Sequence, residues 1–184
     1  RRVGVAAPDR MLLYVGRLAR EKNVELLLRA LALCANRNVK LVIAGDGPQR
    51  EELVRLAVEL GIAGEVRFLG AVARQQLTDL YASADAFVMA STTETQGLVL
   101  AEALAAGARV IAADAPQNRD VVDEAGTLVA ARPEAFAAAF GAVIAGGDRR
   151  PIEARLAARR FSIEAQAERM DELYAGLRRA VRIA

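Results

Sequence analysis

The chain has 184 residues, 54% of them hydrophobic and 4% aromatic, and its 25 basic and 23 acidic residues give a formal net charge of +2. This length suffices for one α/β domain with a substantial core, while the interrupted apolar runs are too short to span a bilayer. The charges are spread without a basic stripe interleaved with aromatic residues, which argues against a nucleic-acid partner. Because Cys34 is the single cysteine and histidine is absent, the sequence excludes an intramolecular disulfide and a Cys–His or Ser–His dyad, and we expect no metal site.

Strand-like and helix-like segments alternate from about residue 11 to the end of the chain. Apolar runs predict strands at 11–15, 39–44, 65–69, 86–89, 109–113 and 127–129. Helices are predicted after an Asn23 cap, from Pro48 to Gly61, at about 74–82, before Gly107, and at about 134–145, 151–160 and 163–183. This alternation predicts an α/β fold: a single Rossmann-like, doubly wound parallel sheet of about six strands, followed by C-terminal helices.

Ligands of open parallel sheets bind beyond the carboxyl ends of the strands, so the residues that follow each strand are informative. The first strand ends at Gly16, which allows a close backbone turn, and Arg17 and Lys22 then place two cations ahead of a helix. Taken in isolation, two such cations are more typical of an ordinary solvated loop than of a phosphate site. The turn at 45–48 is either a plain tight turn or a ligand-facing loop, and the segment around Val72 offers backbone groups to a planar base.

Residues 91–107 leave the fourth strand, cross a polar turn and enter a short helix, an arrangement that directs N–H groups and the positive helix end at an anion. Glu94 precedes this helix, and Glu102 lies within it among apolar neighbours that leave it little water. The two glutamates are either two solvated charges or two groups that converge on one ligand. Since a buried, unpaired carboxylate is costly, Glu102 either faces out of the sheet edge or accepts a hydrogen bond from a specific donor such as a sugar hydroxyl.

The sequence lacks G-x-G-x-x-G after its first strand and has no G-x-x-x-x-G-K-[ST] loop, which disfavours a hydride-transfer or P-loop enzyme. It carries G-R-L-x-x-E-K at 16–22, I-A-G-D-G-P at 43–48, F-L-G at 68–70, and two glutamates separated by seven residues, Glu94 and Glu102. In this order and spacing the motifs resemble the nucleotide-sugar half of the family-4 retaining glycosyltransferases, whose GT-B architecture has two facing Rossmann-like domains. The resemblance extends from about residue 10 to the end of the chain.

This resemblance implies a nucleoside-diphosphate sugar as the donor, with UDP-sugars favoured over GDP-sugars, and no metal or other cofactor. Arg17 and Lys22 would hold the donor diphosphate and stabilise the leaving nucleoside diphosphate, with Gly16 beside them. The catalytic set implied is Arg17, Lys22 and Glu94. The reaction implied is transfer of a hexose, with retention of its anomeric configuration, to a lipid, saccharide or small-molecule acceptor.

The same resemblance distributes the remaining donor contacts over three segments. Glu94 would bind hydroxyls of the transferred sugar, beside the amides near Gly97 and Leu98. Glu102 would bind the ribose hydroxyls, and the backbone at Val72 would read the base.

The sequence departs from the family pattern at two places. Gln96 stands where many members have an aromatic residue, a form found in some members that glycosylate lipids. Residues 116–120 replace the usual glycines before an acidic residue, which weakens the case for a donor-side role of that loop.

The resemblance also divides the chain. Residues 1–10 resemble the interdomain segment, 11–160 the donor-binding domain, and 161–184 a C-terminal helix that would pack back toward a missing N-terminal, acceptor-binding domain. It therefore implies a fragment of a longer enzyme, nearly inactive alone, cytoplasmic, and with peripheral contact at the inner face of the membrane as a further expectation.

Two other functions remain open. One is a catalytically silent nucleotide-binding or scaffolding module. The other is the epimerase or phosphorylase branch of the same fold, for which the sequence has neither the histidine nor the cofactor-lysine pattern.

Overall fold

The structure is a computed structural model that describes residues 5, 8–35, 38–93, 97–122, 125–145, 158–159 and 165. The strands found in these residues are β1 (Arg10–Val15), β2 (Val39–Ala44), β3 (Val66–Gly70), β4 (Ala86–Met89), β5 (Val110–Ala113) and β6 (Thr127–Val129). The helices are α1 (Val24–Leu33), α2 (Arg50–Glu59), α3 (Arg74–Ser83), α4 (Leu98–Ala105), α5 (Pro116–Val122) and α6 (Pro133–Ile144), with one turn of 3-10 helix at Arg20–Lys22.

The six strands form one sheet in the order β3-β2-β1-β4-β5-β6, and every neighbouring pair is parallel. Strand β1 pairs with β2 along its length and with β4 through Leu12 opposite Ala86 and Leu13 opposite Phe87. The chain thus builds outward from β1 to β3, returns to the other side of β1, and builds outward again to β6. This order confirms the predicted doubly wound, Rossmann-like sheet.

Both faces of the sheet are buried, and successive strand residues alternate between two apolar clusters. On one face Leu12, Leu41 and Val88 pack with residues of α1, α2 and α6. On the other face Leu13 and Val42 pack with residues of α3, α4 and α5. Burial on both faces is why the strands are continuous apolar runs in the sequence rather than alternating ones.

Helix α5 is an element that the sequence analysis did not predict. Residues 116–120 were interpreted as a loop, but they belong to a helix that starts at Pro116, a residue well suited to a first helical position. Val121 and Val122 complete this helix and are buried in the second apolar cluster. Packing of these two valines against the sheet therefore stabilises a helix too short to stand out as a pattern.

Two predicted helix C-termini are correct, and one predicted helix N-terminus is correct in position but not in its capping interaction. Gly61 and Gly107 follow α2 and α4 in left-handed conformations, with φ of 68° and 75°. Asn23 precedes α1 as predicted, but its side chain makes no capping hydrogen bond. Its φ of 51° is also left-handed, a conformation that asparagine tolerates, and the residue ends the 3-10 turn.

Two predictions concern parts of the chain outside the described residues. The predicted helices at 151–160 and 163–183, including the segment 161–184, fall there except for residues 158, 159 and 165. None of the helices that the structure describes combines the length and the apolar character needed to cross a membrane.

Candidate functional site

The reversal of strand order places the carboxyl ends of β1 and β4 side by side. The chain leaves β1 toward one face of the sheet and leaves β4 toward the other, so a crevice opens between the two connections. Gly16, Arg17 and Lys22 follow β1, and Gly97 and Leu98 follow β4. The structure brings these five predicted site residues to one edge of the sheet, and together we call them the strand-end surface.

Backbone contacts with the turn after β2 hold the loop that follows β1. The amide of Leu18 donates a hydrogen bond to the carbonyl of Asp46 over 2.9 Å. A Cβ at Gly45 would lie 1.8 Å from the carbonyl oxygen of Gly16, and a Cβ at Gly47 would lie 2.4 Å from that of Leu18. The turn after β2 therefore supports the β1 loop, and its two glycines are required by the close approach of two backbones.

The two predicted cations differ in their surroundings. Arg17 is exposed, and its guanidinium has neither a hydrogen-bond nor an ion-pair partner among the described residues. Its carbonyl accepts a hydrogen bond of 3.0 Å from the Tyr14 hydroxyl, and a Cβ at Gly16 would lie only 2.9 Å from that hydroxyl. Lys22 is half-buried in the 3-10 turn, where its amide donates to the carbonyl of Ala19 over 3.0 Å.

Two buried polar side chains, to which the sequence analysis gave no role, join the loops at this edge. The Ser91 hydroxyl, at the end of β4, donates to the carbonyl of Glu21 over 3.1 Å. The Asn118 side-chain amide in α5 donates to the carbonyl of Ser91 over 2.9 Å and to that of Ala113 over 2.8 Å. Asn118 thus connects the ends of β4 and β5. Its importance was hidden because the helix that carries it was not predicted.

Helix α4 begins at Leu98, directly after Gly97, whose φ of 60° is left-handed. Gly97 is buried, and a Cβ there would lie 2.8 Å from Cγ2 of Val121. The N–H groups of Leu98 and Val99 have no acceptor within the helix and lie at its positive end, whereas that of Leu100 donates to the carbonyl of Gly97 over 2.9 Å. Glu94 lies outside the described residues, so its sugar-binding role stays a prediction.

Glu102 lies on the side of α4 that faces α3. Its side chain is 41% exposed, so the prediction that its apolar neighbours leave it little water is wrong. Adjacent residues of a helix point in different directions, and Ala101, Ala103 and Leu104 turn toward the sheet while Glu102 does not. Its Oε2 accepts a hydrogen bond of 3.1 Å from the Tyr81 hydroxyl, and its Oε1 lies 3.9 Å from Nη2 of Arg74. One of the two carboxylate oxygens therefore has a specific hydrogen-bond donor, and that donor is a side chain of the protein itself.

Tyr81 is a third residue that the sequence analysis missed, since in the sequence it is one more apolar-face position of α3. Its ring is buried and tilted by 56° against that of Phe87 in β4, with ring centroids 5.6 Å apart. Burial, followed by the charge of Glu102 and the hydrogen bond to it, raises the pKa of the Tyr81 hydroxyl. The hydroxyl therefore stays protonated and donates a hydrogen bond to the carboxylate.

A cavity of roughly 300 Å³ lies between α3 and α4. It is lined by Arg74, Leu77, Thr78, Tyr81, Glu102, Ala105 and Ala106. Val72, in the connection from β3 to α3, is half-buried and packs against the same apolar cluster as Leu77 and Val99. The predicted base-reading residue and the predicted ribose ligand are thus on the same face of the sheet, but only Glu102 lines the cavity, which we call the α3–α4 cavity.

No group of three or more Cys, Asp or Glu side chains suited to hold a metal ion occurs in the described parts of the chain. Among the described residues, Arg17 and Lys22 carry positive charge at the strand-end surface, and Arg74 and Glu102 carry charge at the wall of the α3–α4 cavity.

Comparison with known proteins places this arrangement in a family. Residues 1–160 match the family model described as Glycosyl transferases group 1. The chain belongs to this family. Membership confirms the coarser part of the resemblance, which is a glycosyltransferase domain of GT-B type, while the family-4 subclass, the retaining mechanism and the roles of the site residues stay predictions.

Curated relatives of this group 1 chain carry different names. It is 35% identical, over 94% of its length, to an alpha-monoglucosyldiacylglycerol synthase of Streptococcus pneumoniae, of which the match covers 40%. It is also 35% identical, over 96% of its length, to a D-inositol 3-phosphate glycosyltransferase of Corynebacterium urealyticum, of which 45% is covered. An uncharacterized glycosyltransferase of Methanocaldococcus jannaschii, MJ1607, is 45% identical over 60% of the chain and 29% of its own length. The chain thus spans less than half the length of these relatives.

Solved structures repeat the fold. The structure of Anabaena Alr3699/HepE in complex with UDP and glucose aligns with a TM-score of 0.83 and 26% identity, over 95% of this chain and 50% of that one. The sucrose-phosphate synthase of Thermosynechococcus elongatus aligns with a TM-score of 0.82 and 30% identity, over 97% and 48% of the two chains. In both comparisons this chain corresponds to about half of a longer chain.

Proposed function

We propose that this chain is the donor-binding domain of a family-4 retaining glycosyltransferase, and that its donor is a UDP-sugar in preference to a GDP-sugar. One observation carries the proposal. At the switch point of the sheet, the guanidinium of Arg17, which has no partner among the described residues, and the first amides of α4 belong to one surface. The Glu102 carboxylate faces a cavity one turn farther along the same helix. A cationic surface next to a carboxylate-lined cavity suits a diphosphate joined to a nucleoside.

The diphosphate is assigned to the strand-end surface, which we therefore call the phosphate side of the site. Arg17 can place two N–H groups on phosphate oxygens, and Lys22 adds a second positive charge. The first-turn amides at Gly97 and Leu98 add the positive end of a helix. These groups are arranged before the reaction, so they offset the negative charge that develops on the departing nucleoside diphosphate.

The nucleoside is assigned to the α3–α4 cavity, which we call the nucleoside side. Glu102 would accept hydrogen bonds from ribose hydroxyls, and the backbone at Val72 would contact the base. Support comes from the complexes of Anabaena Alr3699/HepE with UDP and with UDP-glucose, which share this fold at 26% identity. Glu94 would bind the transferred sugar on the far side of the phosphates.

The reaction proposed is transfer with retention, in which the leaving group departs from, and the acceptor attacks, the same face of the sugar. The acceptor would be bound by an N-terminal half in a longer protein, and we propose that the present chain binds the donor but is nearly inactive alone. A lipid acceptor with peripheral membrane contact is one form of this proposal, supported by the diacylglycerol-glycoside relative. The location proposed is the cytoplasm.

The test is calorimetric titration of the chain with UDP, UDP-glucose and GDP-mannose, before and after Arg17→Ala. The variant should weaken binding of the diphosphate ligands by about 1.5–3 kcal/mol, the range for hydrogen bonds to charged groups. Arg55→Ala is the matched control, because Arg55 is an exposed arginine of α2 and its loss changes the net charge equally. Equal affinities for the two variants would contradict the proposed phosphate side.

An assay of sugar transfer by a longer protein that contains this chain distinguishes an active enzyme from a catalytically silent module. Transfer of sugar to an acceptor, with the anomeric configuration kept when the product is examined by NMR, is the outcome expected. Binding of UDP without transfer would instead identify a nucleotide-binding or scaffolding module, and an inverted product would overturn the family-4 assignment.

A further inference from the structure

The ribose-binding carboxylate proposed above has a fixed partner on the neighbouring helix. Glu102 is partly exposed, and an exposed glutamate on a helix ordinarily samples several rotamers. Its Oε2 is held by the Tyr81 hydroxyl at 3.1 Å, across the interface between α3 and α4. A flexible side chain is therefore tied at one oxygen to a group on another element.

The tyrosine that holds it has little freedom of its own. Its ring is only 3% exposed and packs against Phe87 in β4, so its position is set by the core of the sheet. The hydroxyl emerges from this packed ring at the wall of the α3–α4 cavity. The packing of Tyr81 in the sheet core thus fixes the position of Oε2 at the edge of the cavity.

The second carboxylate oxygen is left for a ligand. Oε1 lies 3.9 Å from Nη2 of Arg74, which is beyond hydrogen-bond distance, and the Arg74 side chain is 94% exposed. An ion pair so exposed contributes little and is easily exchanged. Both Glu102 and Arg74 line the cavity.

We propose that Tyr81 is the positioning residue for ribose recognition: by holding Oε2 of Glu102, it presents Oε1 to the vicinal hydroxyls of the nucleoside. Tyr81 also lines the cavity, but in this arrangement its effect on ribose recognition is exerted through Glu102. The proposal rests on the proposed function, since it requires the α3–α4 cavity to take the nucleoside of a nucleoside diphosphate. Its consequence is that discrimination between ribose and deoxyribose depends on a residue of α3, although the carboxylate belongs to α4.

The test compares UDP with 2′-deoxy-UDP and 3′-deoxy-UDP by calorimetric titration of the chain. The unmodified chain should prefer UDP over at least one deoxy analogue. Tyr81→Phe removes only the hydroxyl and keeps the ring against Phe87. It should weaken UDP binding roughly three- to tenfold, the net value of one hydrogen bond, and leave the affinity for the disfavoured deoxy analogue within about twofold.

Tyr14→Phe is the matched control. Tyr14 is also a buried tyrosine whose hydroxyl makes a hydrogen bond, in this case to the carbonyl of Arg17 on the phosphate side. Any effect of its removal should fall equally on UDP and on the deoxy analogues, so the preference for ribose should not change. Circular dichroism of each variant establishes that the fold is kept.

A third variant protects the test against a simple loss of stability. Glu102→Ala should abolish the ribose preference by itself, and adding Tyr81→Phe to it should produce no further loss of that preference. Equal losses for UDP and the deoxy analogues in Tyr81→Phe, or a preference that persists in it, would overturn the positioning role alone. If the unmodified chain does not bind UDP, the proposed function is overturned and the inference with it. If it binds UDP and both deoxy analogues equally, the assignment of the ribose hydroxyls to Glu102 is wrong.

Discussion

The phosphate side and the nucleoside side of the candidate site are held together by different parts of the chain. On the phosphate side, the loop after β1 lies against the turn after β2 through main-chain atoms, with Gly45 pressed against the Gly16 carbonyl. On the nucleoside side, side chains set the geometry: Tyr81 reaches from α3 to Glu102 on α4. A surface made of backbone is rigid but cannot be adjusted by substitution without damage to the fold. A surface made of side chains can change its specificity while the fold stays intact.

This difference separates the expected effects of mutation. Substitutions at the backbone contacts of the phosphate side should lower stability and binding together, whereas replacement of the exposed Arg17 should affect binding alone. Substitutions on the nucleoside side should alter the choice of ligand. The predictions below test that separation, beginning with the largest effect expected on stability.

Gly45→Ala should destabilise the chain by about 3 kcal/mol or more. The added Cβ would lie 1.8 Å from the carbonyl oxygen of Gly16, and backbone on both sides prevents relief by rotation of a side chain. Urea denaturation measures the loss. Gly64→Ala is the control, because nothing lies within 4 Å of a Cβ at that position. Similar midpoints for the two variants would show that the β1 loop yields easily, and the proposed rigidity of the phosphate side would be wrong.

Asn118→Ala should destabilise the chain by about 2 kcal/mol. The substitution leaves the buried carbonyls of Ser91 and Ala113 without the side-chain donor that they share. Gln117→Ala tests the same helix at an exposed neighbouring position and should have almost no effect. Thermal and urea unfolding of both variants decide the matter. An Asn118 variant as stable as the Gln117 variant would mean that this connection between β4 and β5 does not contribute.

A smaller effect is expected at alkaline pH on the nucleoside side. The folded chain raises the pKa of Tyr81 above its ordinary value of about 10, so the contribution of the neutral hydroxyl is fully present below that pH. As the pH rises further, the unfolded chain releases a proton that the folded chain retains, and stability falls. Tyr81→Phe lacks this proton. Its stability should therefore decline less steeply between about pH 10 and 11, by up to about 1 kcal/mol.

Unfolding free energies of the unmodified chain and of Tyr81→Phe, measured at several pH values, test this expectation. Cys34, whose pKa burial also raises, contributes to both curves and cancels in their difference. Parallel curves would show that the Tyr81 hydroxyl titrates normally, and that its hydrogen bond to Glu102 is weaker than the geometry indicates.

Several features of the fold follow from local patterns in the sequence. Apolar runs bounded by glycine identify the strands, and their alternation with helices is enough to predict a parallel, doubly wound sheet. Gly61 and Gly107 mark helix ends because a left-handed residue is needed there. The same locality explains the failure at α5, whose stability comes from the burial of Val121 and Val122 against distant residues.

The candidate site divides in the same way. The residues of the strand-end surface can be recognised in the sequence as candidate ligand contacts because each follows a strand. The sheet order then places them at one edge: Gly16, Arg17, Lys22, Gly97 and Leu98. The contacts that fix the site join residues far apart in the chain, and no periodicity announces them. Tyr81 and Glu102 are 21 residues apart, and Asn118 and Ser91 are 27 residues apart.

The sequence by itself determined the sheet, the family, and the strand ends where a ligand would bind, because these depend on residue spacing within a few turns of chain. Only the tertiary structure decided which atoms hold the site in shape: the Gly16 carbonyl against Gly45, the Asn118 amide between two strand ends, and the Tyr81 hydroxyl on Glu102. The physical reason is that hydrogen bonds and close contacts depend on distances of a few ångströms between elements. Those distances are set by the packing of the whole domain.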